Sequence, residues 1–375
     1  MNTSPAPIRR SHPSRAAAAV STALLAVVLA GCGVRLETPP PAEPVPDAAE
    51  LIRRTAVSDA LGVADVAGSA LTQPGLDEKV VVELTRVKEH SLAQADALGG
   101  EYDSGIERET DLGLDELLET PAPEEPAADP AEVLAALTDA AGRSRTAANT
   151  AADGDVARLL ASIGASQTVA ATRLAALTGV DGPTPPAPVI PAPAVQEDDA
   201  ATSPSPGAEE PSATDEPDDD SPAVVATTAP GEEAAVPPAG MSAAELEAVI
   251  LAEDGARFAL EVLAARADDG GDRTALASLA REHDERARGW AVLAAVAGTS
   301  QDPRRVAYAL PRDEDAATLV RELAAGRARD YATLVGTTAS GTRGVLVDLL
   351  IDAALTLETW GAAPSAFPGM PDLVG

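Results

Sequence analysis

Residues 181–240 contain 14 prolines and 13 carboxylate side chains and no basic residue. Proline removes a backbone donor and fixes φ, and like charges repel, so such a stretch buries too little apolar surface to fold by itself. It is expected to be a disordered, extended linker, a solvated spacer rather than a specific acidic motif. It cuts the rest of the chain into two blocks, 47–180 and 241–375, each the size of one small domain. Both are rich in Ala, Leu and Val, and aromatic residues are only 2% of the chain, which points to helices packed through small side chains.

Apolar residues in the C-terminal block recur at helical spacing over four segments. They are 242–267 (Leu246, Val249, Ile250, Leu260, Leu263), 273–297 (Leu276, Leu279, Trp290, Leu293), 314–336 (Leu319, Leu323, Tyr331, Leu334) and 342–361 (Val345, Leu349, Leu357, Trp360). Ser242 and Glu245 have the spacing of a capping box. Short polar joins connect the first pair and the last pair, whereas 298–312 is long enough to run the length of a ~30 Å helix. The N-terminal block has the same plan, with helices expected at 47–70, 77–98, 129–151 and 154–178 and a long acidic join over 99–128. Two fragments also repeat. Ala140-Ala-Gly-Arg-Ser-Arg145 returns as Ala324-Ala-Gly-Arg-Ala-Arg329, and Glu89-His90 returns as Glu282-His283, in the same order and on corresponding helices. The expected fold is all-α: two four-helix bundles, each with a long crossover between its second and third helices, related by duplication.

Four short motifs carry a family resemblance: Ile250-Leu-Ala-Glu253, Tyr308-Ala-Leu-Pro311, Glu322, and the closing Ala366-Phe-Pro-Gly-Met-Pro371. On these the block resembles the actinobacterial ferritin-like domain of unknown function over roughly 241–372. The resemblance implies a ferritin-like bundle. The N-terminal block, which lacks the Tyr-Ala-Leu-Pro and Phe-Pro-Gly pieces, is read as a diverged copy.

A ferritin-like di-iron centre needs Glu-x-x-His pairs, because residues three apart share one helix face. Neither histidine supplies one. His283 follows Ala280 by three and His90 follows Val87 by three, while the adjacent Glu282 and Glu89 point about 100° away. Glu253 and His283 do lie on apolar stripes. With Glu322 and Asp352 they could ligate a single divalent ion such as iron or manganese, and Asp59 and His90 hold similar places in the N-terminal block. The alternative is that these groups are buried and satisfy one another or interior arginines, with no cofactor bound. Arg327 and Arg329, echoed by Arg143 and Arg145, read by default as surface ion pairs, the alternative being inner partners of Glu253.

The N-terminus carries Arg9, Arg10 and Arg15, then an apolar run from Ala16 to Ala30, then Gly31 and Cys32, the single cysteine in the protein. The Leu29-Ala-Gly-Cys32 ending resembles the bacterial lipoprotein signal. That resemblance implies a signal peptide over 1–31 and acylation of Cys32, with 32–46 a proline-rich tether to the membrane. A formal charge of −33 argues against a nucleic-acid partner. The chain is therefore expected to be a cell-envelope lipoprotein on the extracytoplasmic face of the membrane. Its role is read as non-catalytic binding or scaffolding with an envelope protein partner. The alternative is metal binding in iron or manganese handling or redox protection.

Overall fold

The computed structural model describes residues 45–103, 127–190, 236–311 and 315–373. Cys32, the expected signal peptide, most of the tether, the centre of the 99–128 join and residues 191–235 of the expected linker lie outside the described residues. Among the described residues the protein is all-helical, with eight α-helices and no strand. They are α1 (Ala48–Ala70), α2 (Glu78–Ala97), α3 (Pro130–Thr150), α4 (Gly154–Thr178), α5 (Ala243–Arg266), α6 (Gly270–Leu293), α7 (Ala316–Thr337) and α8 (Gly344–Thr359). No helix among them is long and apolar enough to cross a membrane.

Many of the chain's carboxylates sit where helices begin. Asp47, Asp77, Asp129, Asp153, Asp269 and Asp315 each accept backbone N–H groups as N-caps, and Ser242 with Glu245 closes the expected capping box. An oxygen acceptor at this position satisfies donors that have no partner inside the helix, and a negative charge there complements the helix dipole. The eighth helix is different. Arg343 precedes α8 without a side-chain cap. Its guanidinium instead donates to Thr338 O (2.9 Å) and Ala151 O (2.5 Å), joining the α7–α8 turn to the α3–α4 turn.

Consecutive helices pair as hairpins, α1 with α2, α3 with α4, α5 with α6 and α7 with α8. All eight belong to one compact unit. The largest hydrophobic cluster draws Ala56, Val57, Leu160 and Ile163 from the N-terminal block together with Ile250, Trp290, Tyr331 and Leu349 from the C-terminal block. The two blocks thus share a core, which periodicity alone did not reveal.

Helix α4 is the centre of that core. Residues 160–169 are buried without a break, so this helix has no solvated face in its middle. Its small residues allow close approach. Gly154 abuts Gly336 so tightly that a Cβ would fall inside contact distance of the Gly336 carbonyl oxygen. The α7–α8 turn is bonded to the end of α3 by Gly341 N to Asn149 O (2.6 Å) and Ser340 Oγ to Thr150 O (2.8 Å). Backbones of α7 and α8 approach α4 more extensively than they approach α5 or α6. The reason is side-chain size: the wider gap within the C-terminal block is filled by Trp290 and Tyr331, both essentially inaccessible.

Two irregular segments are also fixed. The C-terminal tail crosses α4, where Ser162 Oγ donates to Pro368 O (2.7 Å), Ser166 Oγ to Ser365 O (2.9 Å) and Gln94 Nε2 to Ala366 O (3.2 Å). Phe367 is buried beneath it. The first ten residues of the expected linker run without regular secondary structure to Ile190, which packs on the shared core and fits against Gly289 of α6. A Cβ on Gly289 would come within 3.2 Å of the Ile190 side chain. The linker expectation over 181–240 is therefore corrected at its start, where proline-rich chain is seated on helices by one apolar anchor.

Candidate functional site

The polar interior of the C-terminal block is built from three helices. α5 supplies Glu253 from the end of its Ile250-Leu-Ala-Glu motif, α6 supplies His283 and Arg286, and α7 supplies Tyr331. Glu253 is fully buried. Its Oε2 lies 2.6 Å from His283 Nδ1, and its Oε1 accepts a hydrogen bond from the Tyr331 hydroxyl. Arg286, one turn along α6 from His283, pairs with Asp352 of α8 at 2.8 Å.

Electrostatics here is a contest between burial and charge. Burial alone pushes the Glu253 carboxyl up, but the His283 imidazole beside it and the Arg286 and Arg327 guanidiniums outweigh that and hold it at about 2. Burial and the Glu253 charge push the Tyr331 hydroxyl well above the ordinary phenol value, so it stays a donor. Arg286 is raised despite its burial, by Asp352 first and Glu253 next. A carboxyl whose folded value lies below its unfolded one stabilises the fold above the unfolded value and loses that contribution as pH falls through the folded value. For Glu253 the window runs from about 4.5 down to about 2, worth about 3 kcal/mol. Acid unfolding of the native chain should therefore steepen across this window, while Glu253→Gln should show a flatter dependence. That comparison is needed because Glu50 and Asp302, held at about 2 by neighbouring arginines, titrate in the same range. Identical slopes in the two proteins would show that Glu253 does not contribute.

The four C-terminal residues considered as metal ligands do not converge. Glu253 and His283 meet, Asp352 is engaged by Arg286, and Glu322 is exposed on α7. Among the described residues no group of three His, Cys, Asp or Glu side chains is close enough to hold a metal ion. Both Glu253 oxygens already have partners, and the positive field of Arg286 and Arg327 opposes a divalent cation. The donor set does not fit a metal cage. In the N-terminal block, Asp59 bonds Arg143 at 2.8 Å. His90 is half-buried, its value lowered by burial and then by Arg86. The charges acting on it are those of Arg86, Glu83 and Glu89, and Asp59 is not among them.

Several polar residues of the site went unread in the sequence. Asp254, the neighbour of Glu253, points the other way and is also buried. It accepts from Tyr308 (2.6 Å) and from the backbone N–H of Arg305 (2.8 Å) and pairs with Arg257 (3.0 Å). The crossover that follows α6 is thereby tied onto α5 by the Tyr-Ala-Leu-Pro tyrosine. Two adjacent acids on a helix with apolar residues on both flanks were the available signal, because one stripe cannot bury both. Glu83 of the N-terminal block is a further buried carboxylate, held by Arg86 (2.5 Å) and Arg173 (3.0 Å), and Arg173 continues to Glu358 of α8 (2.8 Å). Arg145 reaches Asp348 of α8 at 2.5 Å, so one of the repeated arginines joins the blocks. Arg327 is mostly buried and does both things: it bonds Asp330 at 2.6 Å, and its charge acts on the buried Glu253.

Comparison of the chain with curated proteins and with solved structures finds no match. A family model described as a domain of unknown function, DUF4439, matches residues 245–372, so the segment from the first turn of α5 through the tail, with the whole Glu253 network, is similar to that family.

Proposed function

We propose that the protein is a cell-envelope lipoprotein, held at the extracytoplasmic face of the membrane through acylated Cys32. Its two ferritin-like halves form a non-catalytic binding or scaffolding body, and an envelope protein is the partner class. The observation that carries the non-catalytic part is the closure of the buried network: both oxygens of Glu253 are taken by His283 and Tyr331, and Arg286 is taken by Asp352. Groups so paired fix four helices relative to one another and leave neither Glu253 oxygen open to a ligand. The lipid anchor is supported by the sequence, in which arginines and an apolar run lead to the Leu-Ala-Gly-Cys ending at the single cysteine.

The test has two arms on one preparation. Metal analysis of the chain from residue 43 onward should find no stoichiometric iron, manganese or zinc, and melting should not respond to added metal. Stoichiometric metal that disappears in both Glu253→Ala and His283→Ala would establish the metal-binding reading instead. In cell fractionation, Cys32→Ala should move the protein out of the membrane fraction, and its retention there would refute the anchor.

A further inference from the structure

Between the C-terminal tail and the α7–α8 hairpin lies a cavity of about 430 Å³. Its floor and walls are apolar, formed largely by Ala325, Ala328, Ala354, Leu357 and Phe367, and its polar lining includes Arg329 and Glu358. The space exists because α7 and α8 present alanines where larger residues would meet the tail. The tail itself cannot collapse into it, being held from the opposite side by Ser162 and Ser166 of α4. Gly369 adopts φ +78° and presses on the Ala328 carbonyl, which fixes the path of the tail at the cavity edge.

The two charged groups of the lining are not equivalent. Glu358 is engaged by Arg173 at 2.8 Å. Arg329 is exposed and has no side-chain hydrogen bond or ion pair among the described residues, although its repeat counterpart Arg145 is bonded to Asp348. An apolar cavity with a free guanidinium among its lining residues complements a molecule with one aliphatic chain and one anionic end. A volume of this size is at the small end of ligand sites, which run from about 300 to 1,000 Å³, so a single chain fits better than a cofactor. We infer that the cavity binds a free aliphatic monocarboxylate, with the chain among the alanines and the carboxylate on Arg329. The inference does not depend on the membrane anchor or on the scaffold reading.

Titration calorimetry of the full-length chain with octanoate is expected to show saturable binding at one site. Charge-assisted hydrogen bonds contribute enough that Arg329→Gln should weaken it about tenfold. Ala354→Leu, which fills the cavity, should abolish binding while the protein still melts cooperatively. Acetate, lacking the chain, should not bind, and octanol, lacking the charge, should bind about as weakly to the native protein as octanoate does to Arg329→Gln. Absence of saturable octanoate binding by the folded native chain would overturn the cavity as a site. Octanol binding as tightly as octanoate, or octanoate affinity unchanged in Arg329→Gln, would overturn the carboxylate assignment.

Discussion

Glu253→Ala should be among the most damaging single substitutions in the protein, lowering the thermal midpoint by on the order of 10 °C. Removing one member of a buried charged pair costs about 3–5 kcal/mol, because the partner stays buried without compensation. A domain of this size loses about 2–4 °C per kcal/mol. Here the change strands two groups at once: His283 loses its acceptor at 2.6 Å, and Tyr331, sealed from solvent like Glu253 itself, loses the acceptor for its hydroxyl. His283→Ala should cost less, since Glu253 keeps Tyr331. The double variant should fall short of the sum, because the two residues act as one unit. Thermal unfolding followed by circular dichroism measures all three. A midpoint shift of only a degree or two for Glu253→Ala would mean that the carboxylate is not sealed in the core, and the closed-network argument would fall with it.

The second large effect is steric. Gly154→Ala is expected to destabilise by about 1–3 kcal/mol, since the new methyl group meets backbone, the Gly336 carbonyl, and neither partner can rotate away. The loss should be visible as a lower midpoint and as faster proteolysis of the chain into block-sized pieces, because this is where the α3–α4 and α7–α8 hairpins touch. Gly142→Ala is the matched control. Gly142 also lies in a helix, but its Cβ direction is open, so alanine there should raise stability by about 0.5–1 kcal/mol. Opposite signs at the two glycines would confirm that the interface, and not helix propensity, sets the sign. A neutral Gly154→Ala would show that the blocks can separate slightly without loss.

The eight helices were legible for local reasons. Leu246, Val249 and Ile250 recur on one face of α5, and Ser242 with Glu245 marks its start, so both the period and the cap lie within a few residues of each other. The same logic found Glu253 and His283, since an apolar stripe predicts which polar residue on it turns inward. Glu322 shows the limit of that logic: its motif placed it in the family pattern, yet it is exposed on α7. Asp352, a candidate ligand in the sequence, is paired instead with Arg286, whose role depends on a helix pairing that no single-helix pattern encodes. The shared core was hidden for a related reason. Ser162, Ser166 and Gly154 have as partners the carbonyls of Pro368 and Ser365 and the backbone of Gly336, about 200 residues further along the chain. Small residues specify closeness without saying what comes close.

The acidic stretch acquires a different meaning from the positions of its two ends. Ile190 is seated against α6, and on the far side Ala239 exchanges hydrogen bonds with Ala339 and Thr342 in the turn before α8. The chain therefore departs from one folded body at Ile190 and is back on that same body at Ala239, so the acidic stretch does not join separate domains. Loop closure depends only logarithmically on length, and halving or doubling such a loop changes folding free energy by about 0.6 kcal/mol. Folding thus leaves the length and charge of this stretch almost unconstrained.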